Sequence, residues 1–66
     1  MTLITHLNEH RKAASLTQAQ LAEMVGVSRK TINTVENRVF IPSTVLALKL
    51  AKALGVSVHA LFELEE

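Results

Sequence analysis

Residues 16–37 read LTQAQLAEMVGVSRKTINTVEN and predict two short helices that meet at a tight turn. Thr17 and Ser28 each precede a helical pattern, and hydroxyl residues are preferred at helix N-caps because their oxygen accepts a backbone N–H bond. Gly26 lies between the helices, at the position where a left-handed residue is easiest for glycine. Ala22 is small enough to let the two helices approach closely. The positions predicted to be buried are Leu21, Val25, Val27, Ile32 and Val35.

The second of these helices carries a polar segment, SRKTINTVEN, at residues 28–37. Ile32 and Val35 would face the core, so the other side chains would form an outward surface of hydroxyl, amide and cationic groups. Taken alone, such a surface is more often a solvated helix face than a binding site. Two helices that cross at about 90–120° around a turn of about three or four residues, however, form a helix-turn-helix, whose second helix can enter the major groove of DNA. This frame favours DNA binding.

The chain resembles the Cro and lambda-repressor type of helix-turn-helix regulators, also called the XRE family. The resemblance is carried by residues 16–37 and by IPSTVLALKLAKALGVSVHALFE at residues 41–63, and it covers nearly all 66 residues. It implies one all-α domain over residues 1–66, with five compact helices and a helix-turn-helix motif at residues 18–37. The implied function is that of a small stand-alone repressor, which binds a pseudo-palindromic operator in double-stranded DNA as a homodimer.

The resemblance also implies roles for individual positions. The base-contacting positions of the recognition helix correspond to Ser28, Arg29, Lys30, Asn33 and Thr34. Their chemistry agrees, because Arg and Lys suit guanine O6 and N7, Asn suits adenine N6 and N7, and Thr can contact a thymine methyl group. The phosphate-contacting positions correspond to Gln18, Asn37 and Arg38.

Two further implications of the resemblance concern structure. Arg11 and Glu36 correspond to an ion pair that joins the first helix to the third. Arg38 stands where the family usually carries glycine, so we expect Asn37 or Arg38 to adopt the left-handed conformation, which asparagine adopts more readily than most residues.

Helical spacing and caps predict the remaining elements. The first helix is expected over residues 3–14, with Ile4, Leu7, Arg11 and Ala14 on one face. After a loop at residues 37–41, a fourth helix is expected over residues 44–54. A fifth should run from Val58 to Phe62 or Leu64, although residues 62–66 could extend as a short strand.

Composition limits the class of protein. Sixty-six residues suffice for one small domain, whose core must be aliphatic because the chain has only two aromatic residues. Residues 1–62 carry seven Lys and Arg against three Glu, so this part is basic, whereas the last four residues include three Glu. The chain has no cysteine, which suits a reducing cytoplasm. No signal peptide opens the sequence, and the apolar run at residues 45–54 is interrupted by lysines and too short for a membrane span.

No set of residues predicts an enzyme, a cofactor, a metal site or a small-molecule ligand. The chain has no aspartate, cysteine or glycine-rich phosphate loop. His6 and His10 have the spacing of two metal ligands on a helix, but without a third ligand they are better interpreted as surface or half-buried histidines. The serines are more simply explained as caps and turn residues than as nucleophiles.

The fourth predicted helix is apolar on more than one side, and so small a domain has few places to bury a second apolar side except against another subunit. We therefore expect a homodimer, whose interface residues are Val45, Leu48, Leu61, Phe62 and Leu64. The alternative is a monomer with a modest apolar patch. A second alternative concerns function: the same fold could serve as a protein-interaction module, such as the antitoxin of a toxin–antitoxin pair.

Overall fold

The structure is a computed structural model that describes residues 2–65, without the side chain of Thr2. Five helices and two short strands occupy this part of the chain, which confirms the predicted helical fold. In chain order the elements are β1 (Thr2–Thr5), α1 (Leu7–Ala13), α2 (Gln18–Val25), α3 (Arg29–Glu36), α4 (Thr44–Leu54), α5 (Val58–Leu61) and β2 (Phe62–Glu65).

The helix-turn-helix is built by local capping, as the sequence predicts. The Thr17 hydroxyl accepts the backbone N–H of Gln20 at 3.1 Å, and the Gln20 side chain accepts the backbone N–H of Thr17 at 2.8 Å, which forms a complete capping box. Gly26 ends α2 in the left-handed region with φ 75°. The Ser28 hydroxyl then accepts the backbone N–H of Thr31 at 3.2 Å and begins α3. These bonds satisfy backbone donors that a helix start leaves without partners.

The core draws on every helix. Short helices like these are marginal alone, so their stability depends on a shared apolar interior. Val27 is only half-buried, although the sequence predicts burial there. The buried hydrophobic residues are Leu7, Leu21, Ala22, Val25, Ile32, Val35, Leu46, Leu50, Ala51, Leu61 and Phe62.

The N-terminal segment differs from the prediction. The expected helix over residues 3–14 begins only at Leu7, because the preceding residues form β1, which pairs antiparallel with β2. In the pairing, Leu3 lies opposite Leu64 and Thr5 lies opposite Phe62. Ile4 therefore belongs to a strand rather than to a helix face, and Ala14 is the exposed C-cap of α1. The C-terminal strand, left open by the sequence, forms up to Glu65, and Glu66 lies outside the described residues.

His6 joins the two ends of the described chain. Its backbone N–H donates to the Leu61 carbonyl at 2.7 Å, and its Nε2 lies 2.8 Å from Oε1 of Glu63. The Glu63 carboxylate raises the pKa of His6 above its ordinary value. The imidazole therefore has a structural partner on β2.

Within residues 2–65, two residues other than glycine adopt the left-handed conformation. Arg38 does so after α3 with φ 62°, and Ser15 does so after α1 with φ 60°. Asn37 keeps an ordinary φ of −94°, so of the two residues considered at this turn it is Arg38 that takes the left-handed form. Such a conformation costs a residue with a Cβ roughly 1–2 kcal/mol.

We expect Ser15→Gly and Arg38→Gly each to raise the free energy of unfolding. Glycine removes the Cβ strain but adds unfolded-state entropy, so the net gain should be about 0.5–1 kcal/mol. Thermal unfolding at one fixed protein concentration should show a rise in Tm of about 2–8 °C.

The matched control is Ala13→Gly, which places glycine at the last residue of α1, where the backbone is helical, and should lower Tm. A fall in Tm for both Ser15→Gly and Arg38→Gly would contradict the assignment of strain to these positions.

Candidate functional site

One side of α3 is polar and points away from the core. Ile32 and Val35 are buried on the inner side and hold the helix against the domain. The outer side, which we call the polar face, consists of Ser28, Arg29, Lys30, Asn33 and Thr34. All of these are exposed except Thr34, which is half-buried at the edge. The structure thus brings together all five residues expected to contact bases.

Two hydroxyl groups of the polar face are already engaged. Ser28 caps α3, and its Oγ also lies 3.0 Å from Oγ1 of Thr31. The Thr34 hydroxyl donates to the Thr31 carbonyl at 2.9 Å. The Thr34 methyl group, rather than its hydroxyl, is therefore the part of that side chain that suits a contact with a base.

The three expected phosphate contacts border the polar face, but only one has an uncommitted side chain. Nε2 of Gln18 donates to Oε1 of Glu36 at 3.1 Å and to Oδ1 of Asn33 at 3.3 Å. Nδ2 of Asn37 donates to the carbonyl of Asn33 at 2.9 Å and to its Oδ1 at 3.1 Å. The Arg38 side chain is exposed and makes no hydrogen bond or ion pair within residues 2–65. Its guanidinium can therefore meet an anion without breaking an existing bond.

Behind the polar face, Arg11 of α1 and Glu36 of α3 form a two-point ion pair. Nε of Arg11 donates to Oε2 of Glu36 at 2.7 Å, and Nη2 donates to Oε1 at 3.2 Å. Their side chains are only 10% and 3% exposed. Nη1 of Arg11 also donates to the Leu16 carbonyl at 2.8 Å. The pair thus ties α1, the loop before α2 and the end of α3 together.

A further partner of this ion pair was not predicted. Nδ2 of Asn8 donates to Oε1 of Glu36 at 2.9 Å, so α1 contributes a second donor. Asn8 lies three residues before Arg11, on the same side of the helix, and that spacing is the only sequence signal for its role. The sequence did not reveal it, because the resemblance implies only Arg11 and Glu36 for this ion pair and an exposed-type polar residue within a helix carries no signal of a partner 28 residues away.

The ionisation of Glu36 reflects two opposing effects. Burial raises the pKa of this carboxyl, but the hydrogen bonds from Arg11, Asn8 and Gln18 lower it, and the net result lies below the ordinary value. Glu36 is therefore an acceptor at neutral pH. The residues of the polar face and its border include the cations Arg29, Lys30 and Arg38 and no acid, so this surface suits an anionic partner.

The expected dimer interface needs a correction. Leu61 is 0% exposed and Phe62 is 8% exposed, because both side chains pack into the core of their own subunit. They have little or no surface left for a second copy. The apolar residues that remain exposed include Val45 and Leu48 of α4, Leu64 of β2 and Ile41 of the loop before α4. Ile41 and Leu48 line one surface groove together with Leu3.

Within residues 2–65, every helix is too short or too polar to cross a membrane. His6 and His10 are both half-buried, and the imidazole of His6 lies 2.8 Å from the carboxylate of Glu63 and 3.6 Å from that of Glu9.

Comparison with known proteins agrees with this geometry. A family model described as helix-turn-helix matches residues 7–61. An uncharacterized HTH-type transcriptional regulator of Methanothermobacter thermautotrophicus is 51% identical over 51 residues, which is 77% of this chain and 74% of that protein.

Two solved structures are similar in both fold and sequence. The restriction-modification controller protein C.AhdI of Aeromonas hydrophila is 38% identical with a TM-score of 0.76, over 80% of each chain. The P22 c2 repressor protein, solved in complex with a synthetic operator, is 36% identical with a TM-score of 0.77, also over 80% of each chain.

Removal of the Glu36 carboxylate should destabilise the domain strongly. We expect Glu36→Ala to lower the free energy of unfolding by about 3 kcal/mol, because the buried Arg11 guanidinium is left without its counter-charge. Chemical denaturation of this variant should show the loss. Glu23→Ala, at an exposed position of α2, is the matched control and should change stability by less than about 0.5 kcal/mol. An unchanged transition in Glu36→Ala would show that the pair contributes nothing.

The same variant should alter the pH dependence of stability. Because the folded pKa of Glu36 lies below the unfolded one, its stabilising contribution is complete above the ordinary glutamate pKa and is lost as pH falls through the folded pKa. Wild type should therefore lose more stability than Glu36→Ala in this acidic range. Equal losses in both proteins would contradict the assignment.

Proposed function

The chain belongs to the helix-turn-helix family of DNA-binding transcriptional regulators, of the XRE type, and from this premise we propose that it is a cytoplasmic repressor. In this proposal a homodimer binds a pseudo-palindromic operator through the major groove, and the protein has no catalytic activity. The observation that carries the proposal is the polar face of α3, which the buried Ile32 and Val35 turn outward. The similarity to an operator-bound repressor and to a controller protein supports it.

In the proposed complex, the polar face contacts bases and its border contacts phosphates. Arg29 and Lys30 are exposed near the start of α3, the end of a recognition helix that meets base edges. Gln18 is the first residue of α2, where unpaired backbone N–H groups favour a phosphate. Arg38 lies beyond the other end of α3 and supplies an exposed positive charge. These contacts place α3 along the groove with α2 across the backbone.

The proposed homodimer uses the exposed apolar side chains of the α4 region. Ile41, Val45, Leu48 and Leu64 are all exposed within one subunit. Leu3 and Leu64 are paired on neighbouring strands, so the terminal sheet continues this apolar surface. A two-fold dimer would set the two recognition helices about 34 Å apart, one turn of DNA.

Base contacts and phosphate contacts should respond differently to mutation. In selection from random duplexes, Lys30→Ala should change the preferred base at one half-site position, at about 1–3 kcal/mol. Arg38→Ala should weaken all duplexes alike and reduce the salt slope by about 1. Lys52→Ala, an exposed cation on α4, is the control and should change neither. Binding that does not weaken with salt would favour the protein-interaction module instead.

The dimer can be tested by introducing a charge into the apolar surface. Light scattering at tens of micromolar should give the wild type twice the 7.2 kDa chain mass. Leu48→Glu should give a monomer, because a carboxylate in the interface would lose its hydration. The exposed neighbour Lys49→Glu is the matched control and should remain dimeric. A monomeric wild type would refute the dimer while leaving the DNA-binding surface intact.

A further inference from the structure

Asn33 lies at the centre of the polar face, and its side-chain amide is held by two neighbours. Its Oδ1 accepts from Nε2 of Gln18 at 3.3 Å and from Nδ2 of Asn37 at 3.1 Å. An amide oxygen has two lone pairs, and both are used by these bonds. The Nδ2 group of Asn33 donates to no residue of the described chain.

The orientation of this amide follows from groups that can only accept hydrogen bonds. Gln18 also faces the ionised Glu36 carboxylate at 3.1 Å, so the atom it turns toward Glu36 must be its nitrogen. Asn37 faces the backbone carbonyl of Asn33 at 2.9 Å, so the atom it presents is also its nitrogen. Since both neighbours present donors, the atom of Asn33 between them must be its oxygen. A rotated Asn33 would place its own amino group against two amino groups.

We propose that Asn33 reads its base as a hydrogen-bond donor and selects guanine, because its amide oxygen is held inward by Gln18 and Asn37. This inference rests on the proposed function. An asparagine that reads adenine needs its oxygen to accept from N6 while its nitrogen donates to N7. Here that oxygen has no lone pair to offer. Guanine presents two adjacent acceptors, O6 and N7, to the outward amino group, whereas adenine and thymine each present one acceptor and cytosine presents only a donor.

Residue type alone would assign adenine to Asn33. Asparagine in a recognition helix suits adenine when both ends of its amide face the groove. In this chain the Glu36 carboxylate fixes Gln18, and Gln18 together with Asn37 fixes Asn33. Residues outside the polar face therefore determine which base Asn33 recognises.

The test begins with the position that Asn33 reads. The sequences that wild type and Asn33→Ala select from random duplexes should differ at one half-site position, and that position is the one Asn33 contacts. Competition binding with duplexes that differ only there should favour guanine over adenine by at least about fivefold in wild type, and by much less in Asn33→Ala. Adenine preferred at this position by the wild type would overturn the inference.

Releasing the amide should then change the preference. Asn37→Ala and Gln18→Ala each remove one donor and free one lone pair of Asn33, so the guanine-to-adenine ratio should fall at least about threefold in both. Arg38→Ala is the matched control, which should weaken binding to both duplexes and leave the ratio unchanged. An unchanged ratio in Asn37→Ala and Gln18→Ala would overturn the inference. Absence of salt-sensitive binding of wild type to any duplex would instead remove the proposed function and this inference with it.

Discussion

The structure depends on one buried carboxylate. Glu36 receives hydrogen bonds from Asn8 and Arg11 of α1 and from Gln18 of α2, so a single group on α3 connects the three helices. A buried charge is tolerated only when it is paired and hydrogen-bonded, and this one has four such bonds. Because a carboxylate only accepts, it also determines how Gln18 is turned, and through Gln18 how Asn33 is turned. The buried hydrogen bonds of Glu36 thereby determine which amide atom of Asn33 the polar face exposes.

The elements that sequence reasoning predicted best are those whose causes are local. Thr17, Ser28, Ser43 and Ser57 all cap helices with their hydroxyl groups, and Gly26 ends α2 where predicted. Each signal involves residues within one helical turn. Strand β1 could not be predicted in this way, because it exists through pairing with β2, and Leu3 and its partner Leu64 are at opposite ends of the chain. A four-residue strand also has too few positions to separate its period from that of a helix.

The candidate site shows the same division between local and long-range causes. The outward side of α3 follows from helical periodicity, because Ile32 and Val35 identify the inward side. Leu61 and Phe62 were assigned to an interface although they are buried, and they lie where α5 ends and β2 begins. Neither the helical period nor the strand period of apolar residues continues through this junction, so the sequence pattern does not show which of these side chains face the core. The orientation of Asn33 was not predictable at all. It depends on distances of 3.1–3.3 Å between side chains of two helices and a loop, and residue types alone do not give distances.

The two left-handed residues show that backbone strain is not itself a sign of function. Ser15 and Arg38 have nearly the same φ, yet Ser15 follows α1, whereas Arg38 follows α3 at the border of the polar face. Glycine would relieve the strain at either position. At Arg38 it would also remove an exposed guanidinium that has no partner in the described chain and that follows the C-terminal end of α3. The strained turn sets the position of the Arg38 side chain. At this position stability therefore favours glycine, whereas the proposed phosphate binding favours arginine.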